Sequence, residues 1–267
     1  MKRTRKSLNG KTVLITGGSG GLGERIAYRA ARAGARVAVA ARRMDLLEQV
    51  RDRCTYLAGE PALAVAMDAA DPEQVRAAFD QALAEFGRLD VLVNNAGFGF
   101  FAEAVDMDME IAERMFRTNV LGLMYLTQLA AQHMKENGGG HIINIASQGG
   151  KTATPKSSCY SATKAAVIAY SNALRLELKP HKVYVTTVNP GPIRTDFFTH
   201  ADQSGDYLER VGFVVLEPKK VAERIVQAMG RPVREINMPR VMEGGARLYT
   251  LFPRLGDFLV QHMFNLK

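Results

Sequence analysis

The 267-residue sequence has no tryptophan and only two cysteines, Cys54 and Cys159. Neither stands at metal-ligand spacing from another cysteine or a histidine, so no metal site is expected. Two scattered thiols fit a reducing compartment, here the cytoplasm, rather than a secreted disulfide framework. No apolar run reaches bilayer length: the least charged long stretch, residues 118–134, carries Asn, Thr, Gln and His and reads as a buried helix. The charged N-terminus starts like a signal peptide, but Leu8-Asn9-Gly10-Lys11 follows where an apolar segment would stand. Also missing are internal repeats, low-complexity linkers, a Gly-Lys-Ser/Thr phosphate clamp and a Gly-x-Ser-x-Gly nucleophile elbow. These absences argue against an NTPase, a serine hydrolase of that type and a metalloenzyme.

What is present is a core-forming chain, 47% hydrophobic and 23% charged, with a net charge of +8. Lys2, Arg3, Arg5 and Lys6 supply half of that excess within an arm spanning residues 1–9. Such an arm is either a solvated terminus or a contact for an anionic surface; no nucleic-acid partner is expected. Short β-branched runs at 12–16, 36–41, 62–67, 91–94, 141–146 and 183–188, and a weaker one at 234–237, read as strands. Most are continuously apolar, as in strands covered on both faces. Amphipathic segments at 21–33, 44–54, 72–86, 109–136, 157–179 and 218–229 alternate with them. Gly34, Gly87 and the 138–140 glycines sit where helix C-caps belong, and Asp71-Pro72 reads as an N-cap with a first-turn proline. Strict alternation implies right-handed crossovers and an α/β fold: one Rossmann-type doubly wound parallel sheet of about seven strands with helices on both faces, over residues 10–245. Ligands of such sheets bind beyond the carboxyl ends of the strands, so functional residues are expected at those ends.

After the first strand comes Thr16-Gly17-Gly18-Ser19-Gly20-Gly21-Leu22-Gly23. Glycines at a strand–helix turn let a pyrophosphate approach backbone N–H groups at the helix N-terminus; an ordinary glycine-rich turn is the alternative. The second strand ends Ala40-Ala41-Arg42-Arg43. An acid at that tip would hold the ribose hydroxyls and repel a 2′-phosphate. Here Ala41 occupies the tip and two guanidinium forks follow, which points to NADP(H), the alternative being that both arginines only solvate the start of the next helix. Asp68, at the end of the third strand, has two open roles, accepting from the adenine amino group or capping the following turn.

Tyr160 and Lys164 are four apart on a helix and so share a face. A cation beside a phenol favours the phenolate and makes the hydroxyl a workable general acid/base near neutrality. Ser147 ends the fifth strand at the same sheet edge, where its hydroxyl can donate to developing negative charge on a carbonyl oxygen. Each of the three alone has an ordinary structural explanation.

Taken together, the glycine turn ending at Gly23, Asn94-Asn95-Ala96-Gly97, Asn119, Ser147, Tyr160-x-x-x-Lys164 and Pro190-Gly191-x-x-x-Thr195 resemble the short-chain dehydrogenase/reductase family in order and spacing, over about residues 10–200. The resemblance implies a cofactor site lined by Gly17, Ser19, Gly21, Leu22, Gly23, Asn95, Ala96, Gly97, Pro190, Gly191, Ile193 and Thr195, with Arg42, Arg43 and Asp68 at the adenosine end. It implies that Tyr160 and Lys164 contact the coenzyme, that Asn119 holds a water in a proton relay, and that the catalytic set is Asn119, Ser147, Tyr160 and Lys164. A homodimer or homotetramer is implied as well.

Residues 196–217 are expected to form a lid. Phe197, Phe198, Tyr207 and Phe213, with Phe98, Phe100 and Phe101, either line an apolar pocket or pack the lid onto the core. Ser147, Gln148, Tyr160 and Phe197 are the expected substrate contacts, and the substrate is a small-molecule carbonyl or alcohol. Residues 246–267 carry Leu248, Leu251, Phe252, Leu255, Phe258, Leu259, Met263 and Leu266 at helical spacing, interrupted by Pro253. That stripe packs on its own fold, on another subunit or on a membrane surface. The leading reading is an NADP(H)-dependent carbonyl reductase. A 3-oxoacyl-thioester reductase and a non-catalytic NADP(H)-sensing regulator are the alternatives.

Overall fold

A computed structural model describes residues 8–202, 205 and 212–264, and within them every side chain but those of His200, Phe213, Met263 and Phe264. The basic residues of the arm, Tyr207 and Leu266 lie outside the described residues.

Continuous apolar runs become buried strands: β1 (Thr12–Thr16), β2 (Arg36–Ala41), β3 (Leu63–Ala66), β4 (Val91–Asn94), β5 (Gly140–Ile145), β6 (Val183–Pro190) and β7 (Glu235–Met238). They form one parallel sheet in the order β3-β2-β1-β4-β5-β6-β7. Strand order reverses between β1 and β4, whose Ile15 and Val93 are paired, and the carboxyl ends open a cleft there. Period-two alternation divides the core. Val13, Ile15, Val37 and Val39 face one layer with Ile26, Leu47 and Ile225. Leu14, Ala38, Ala40 and Leu92 face the other with Leu126, Met134 and Ile142. Each fully buried Val, Leu, Ile or Met side chain among them contributes ~1.5–3 kcal/mol.

The first layer comprises α1 (Gly21–Arg32), α2 (Met44–Ala58) and α8 (Pro218–Ala228); the second comprises α3 (Pro72–Phe86), α5 (Leu123–Glu136) and α6 (Ser158–Leu178). Asp71 caps α3 by accepting from the Glu73 and Gln74 amides at 2.9 and 3.2 Å. Leu8 is already in the core, its amide donating to Ala33 O at 3.1 Å, so the fold begins inside the span assigned to the arm.

Three helical elements differ from the sequence expectation by more than one residue at an end. Helix α2 runs to Ala58, four residues past Cys54, because Leu57 and Ala58 pack on the core and Gly59 supplies the left-handed cap (φ 78°). The single helix expected over 109–136 is three pieces: α4 (Met109–Phe116), a π turn (Arg117–Gly122) and α5. At Gly122 the helix backbone meets the loop after β3 so closely that a Cβ would lie 1.9 Å from Ala69 O. The tail forms α9 (Arg240–Leu251) and α10 (Pro253–Phe264), so it begins six residues earlier than the amphipathic stripe indicated. The short helix α7 (Phe197–Ala201) opens the lid segment.

Candidate active site

One cavity of about 1980 Å³ runs along the carboxyl edge of the sheet. Every expected catalytic, coenzyme and substrate residue lines it except Gly23 and Asn119. Of the described rings named for the pocket, Phe98, Phe101, Phe197 and Phe198 line it, and Phe100 packs on Met107, Ala112 and Met115 instead.

At one end lies the loop from β1 to α1. Gly17 (φ 65°) sits against the next strand's loop, where a Cβ would come 2.9 Å from Ala96 Cα. Gly23 is closed on itself, since a Cβ there would lie 2.2 Å from Gly17 O, so it shapes the turn from behind. The cavity side of the loop is open: a Cβ at Gly20 would meet only Arg43 Nη2, at 3.6 Å. Thr16 fixes the neighbouring loop, its hydroxyl accepting from the Asn95 and Ala96 amides at 3.0 and 2.9 Å. Asn95 Nδ2 returns the contact, donating to Thr16 O at 2.9 Å. Beyond β2, Arg43 Nη2 donates to Ser19 Oγ at 3.3 Å, and Arg42 is exposed beside it. The Asp68 carboxylate accepts from the Ala70 amide at 2.9 Å, the turn-capping role, while still lining the cavity.

At the other end, Ser147 follows β5 and its Oγ accepts from the Gly149 amide at 3.0 Å, which orients the hydroxyl at the start of a short 3-10 turn. Lys164 reaches back from α6 and donates to Ile145 O at 3.0 Å. Burial pulls its ammonium down from the ordinary 10.5 to about 8. Its Nζ lies 5.8 Å from the centre of the Tyr160 ring. The Tyr160 ring is walled by Phe101 at 5.8 Å and Phe197 at 5.7 Å, and Phe198 packs on both phenylalanines.

Asn119 lies within the π turn and is 1% exposed. Its Nδ2 donates to Phe98 O at 2.8 Å and to Thr163 Oγ1 at 3.1 Å, and its Oδ1 accepts from the Phe98 amide at 3.0 Å. Thr163 in turn donates to Tyr160 O at 2.7 Å. The Asn119 side chain thus ties the loop after β4 to the helix that bears Tyr160. Gln148 is 1% exposed, with Nε2 donating to Asn189 O at 3.0 Å. Its amide is anchored to the end of β6, while the residue still lines the cavity. Ile193 is pinned by a bridge to Leu216, and Gly191 donates to Met238 O at 2.6 Å.

Sequence reasoning missed the hydrogen-bonding role of Thr16, and it missed Thr163 and the cavity wall supplied by Val241, Met242, Gly245 and Ala246 of α9. The first could have been found from Thr preceding the glycine loop. The α9 residues carry no motif, and only the folded chain brings them to the site. Lys151, four residues past Ser147, was also missed. Its Nζ donates to Glu235 Oε2 at 2.6 Å and Glu243 Oε2 at 3.0 Å, fastening the turn after β5 to β7 and α9.

The likeness to known proteins agrees with this geometry. The family model for short chain dehydrogenases matches residues 11–205. An uncharacterised oxidoreductase of Bacillus subtilis is 34% identical over 263 residues, covering 96% of this chain and 73% of its own. The crystal structure of a 3-ketoacyl-(acyl-carrier-protein) reductase from Brucella melitensis complexed with NADH is 33% identical, with a TM-score of 0.79, over 87% of this chain and 98% of that one. An alcohol dehydrogenase of Thermococcus sibiricus complexed with 5-hydroxy-NADP is 27% identical, with a TM-score of 0.77, over 85% and 95%. The chain belongs to the short chain dehydrogenase family. It is an oxidoreductase, of a family whose coenzymes are NAD(H) and NADP(H).

Proposed function

We propose that the protein is an NADP(H)-dependent reductase of apolar ketones or aldehydes, or the dehydrogenase of the corresponding alcohols. One observation carries the reading: the glycine loop and the basic end of β2 share a single cavity with Ser147, Tyr160 and Lys164. Its volume exceeds the ~300–1,000 Å³ of ordinary ligand pockets and suits a dinucleotide together with a substrate.

The residues fit that coenzyme. The open backbone of Gly20 and Gly21 at the N-terminus of α1, beside Leu22, offers N–H groups to a pyrophosphate. Arg43, Ser19 and Arg42 offer a fork, a hydroxyl and a second cation to a 2′-phosphate, and no acid stands at the end of β2 to oppose it. Asn95, Ala96 and Gly97 would lie along the adenosine ribose, Ile193 and Thr195 at the carboxamide, and Lys164 at the nicotinamide ribose. When bound, the coenzyme supplies two electrons as hydride to the carbonyl carbon. Tyr160 Oη delivers the proton to the carbonyl oxygen, Ser147 Oγ donates a hydrogen bond to it, and the Lys164 ammonium stabilises the phenolate left behind. Asn119 holds the Tyr160 helix against the loop after β4. Phe101, Phe197 and Phe198 favour an apolar substrate.

Exposed Ala162, Ala165, Ala169 and Ala173 give α6 a flat face suited to homo-oligomer packing. The buried Cys54, whose thiol burial pushes up to about 12, suits the reducing cytoplasm. The test is NADPH oxidation against a panel of ketones, aldehydes, quinones and acyl thioesters, with Tyr160→Phe as comparison. The variant is expected to bind NADPH normally and to lose turnover by about 10²–10⁴-fold. Retained turnover removes Tyr160 from the mechanism, and a response to acyl thioesters alone replaces the substrate reading.

A further inference from the structure

Of the three partners open to the tail stripe, the protein's own fold leaves most of its described apolar residues uncovered. In α9, Met242, Glu243 and Ala246 turn inward, Val241 stands at the rim of the cavity, and Leu248 and Leu251 are left exposed. In α10, Gly256 and Val260 turn inward, leaving Leu255, Phe258 and Leu259 exposed, with Phe252 between the helices at 56% exposure. The two helices are one unit: Gly256 packs beneath Tyr249, where a Cβ would lie 2.3 Å from its ring, and Tyr249 Oη donates to Asp257 Oδ1 at 2.7 Å. Six large apolar side chains on and between adjoining helices are more than the scattered exposure of an ordinary surface.

The charges around this face are mostly positive. Arg240, Arg247 and Arg254 are exposed along it. The described acidic residues of the pair are engaged within the protein, Glu243 by Lys151 and Arg247, Asp257 by Tyr249. Arg240 and Arg254 have no ion pair among the described residues. A second copy docked on the same face would bring arginine to arginine with no free acid from these helices to answer them. An anionic lipid surface answers both features at once. We propose that α9 and α10 dock the protein on anionic lipid bilayers, with the apolar side chains entering the interface and the arginines meeting the headgroups. Because the inner side of α9 walls the large cavity, docking would bring that wall to the lipid surface. The proposal does not depend on the coenzyme or substrate assigned above.

The experiment is co-sedimentation of the full chain with vesicles of phosphatidylcholine alone or mixed with phosphatidylglycerol. Two double variants are compared, Leu248→Ser/Phe258→Ser and Arg240→Gln/Arg254→Gln. Molecular mass in solution and NADPH affinity are measured in parallel as controls of assembly and folding. The wild type is expected to sediment with the mixed vesicles and not with phosphatidylcholine alone, and to be released by salt. The serine pair should lose at least about tenfold in partitioning. The glutamine pair should lose about fivefold per arginine, and both variants should keep NADPH affinity. Absence of sedimentation, equal sedimentation on both vesicle types, or unchanged partitioning of either variant overturns the proposal. So does a fall in the protein's mass when the serines are introduced, which would make this face a contact between copies.

Discussion

Replacing Lys164 by Met tests the proton chemistry most directly, because it removes the charge and keeps the stem. The ammonium sits 5.8 Å from the centre of the Tyr160 ring. At an effective dielectric of about 20, two unit charges at that separation attract by about 3 kcal/mol, about a hundredfold in the balance between phenol and phenolate. Turnover is therefore expected to fall by about 10²-fold or more. Folding should be less affected. The variant leaves Ile145 O without its donor, a loss of ~1–3 kcal/mol, but also removes a cation that burial disfavours by a similar amount. The pH profile separates this role from a structural one. Burial lowers Lys164 to about 8, so the ammonium is charged below that pH and neutral above it. In the wild type, kcat/KM for NADPH, which reports the ligand-free enzyme, should decline as pH rises through about 8. In Lys164→Met the profile should lose that break at a much lower plateau, with Tm within a few degrees of wild type. A variant that keeps the break near pH 8, or turns over at wild-type rates, refutes the reasoning.

Arg43→Ala removes the fork that reaches Ser19; calorimetry is expected to find NADPH weakened by about 10–100-fold with NADH affinity unchanged, and equal losses for both would contradict the 2′-phosphate assignment. His141 predicts acid sensitivity of folding. It is buried, accepts from the Gly230 amide at Nδ1 (3.0 Å), contacts Thr186 Oγ1 at Nε2 (2.8 Å), and burial lowers it from 6.5 to about 4. The unfolded chain therefore binds more protons between those values. Stability present above pH 6.5 is lost as pH falls towards 4, to the extent of about 3 kcal/mol. Urea midpoints measured at pH 7 and pH 4.5 should fall further for the wild type than for His141→Gln, and parallel changes would exclude His141 as the source.

Much of the architecture was legible because its signals are local. Three strands, β1, β2 and β4, begin and end where the apolar runs do, and α3 is bounded by Asp71 and Gly87 as the caps dictate. Residues at the carboxyl ends of strands could be assigned to one edge because a parallel sheet leaves no other choice. The π turn was not legible. It depends on Gly122 meeting the loop at Ala69 and on Asn119 bonding to Phe98, partners distant in sequence. Gln148 illustrates the converse: its position near Ser147 suggested a substrate contact, while the direction of its side chain was set by Asn189 O on a neighbouring strand.

The sequence by itself determined the alternation of strands and helices, the glycine turn, the basic end of β2 and the i, i+4 spacing of Tyr160 and Lys164, since all of these arise from residues close along the chain. Tertiary structure decided how far Lys164 is desolvated, which rings enclose Tyr160, that α9 walls the cavity, and that the apolar stripe of α9 and α10 faces outward. A hydrophobic pattern states which side of a helix is apolar; only the packing of the whole chain states what, if anything, covers it.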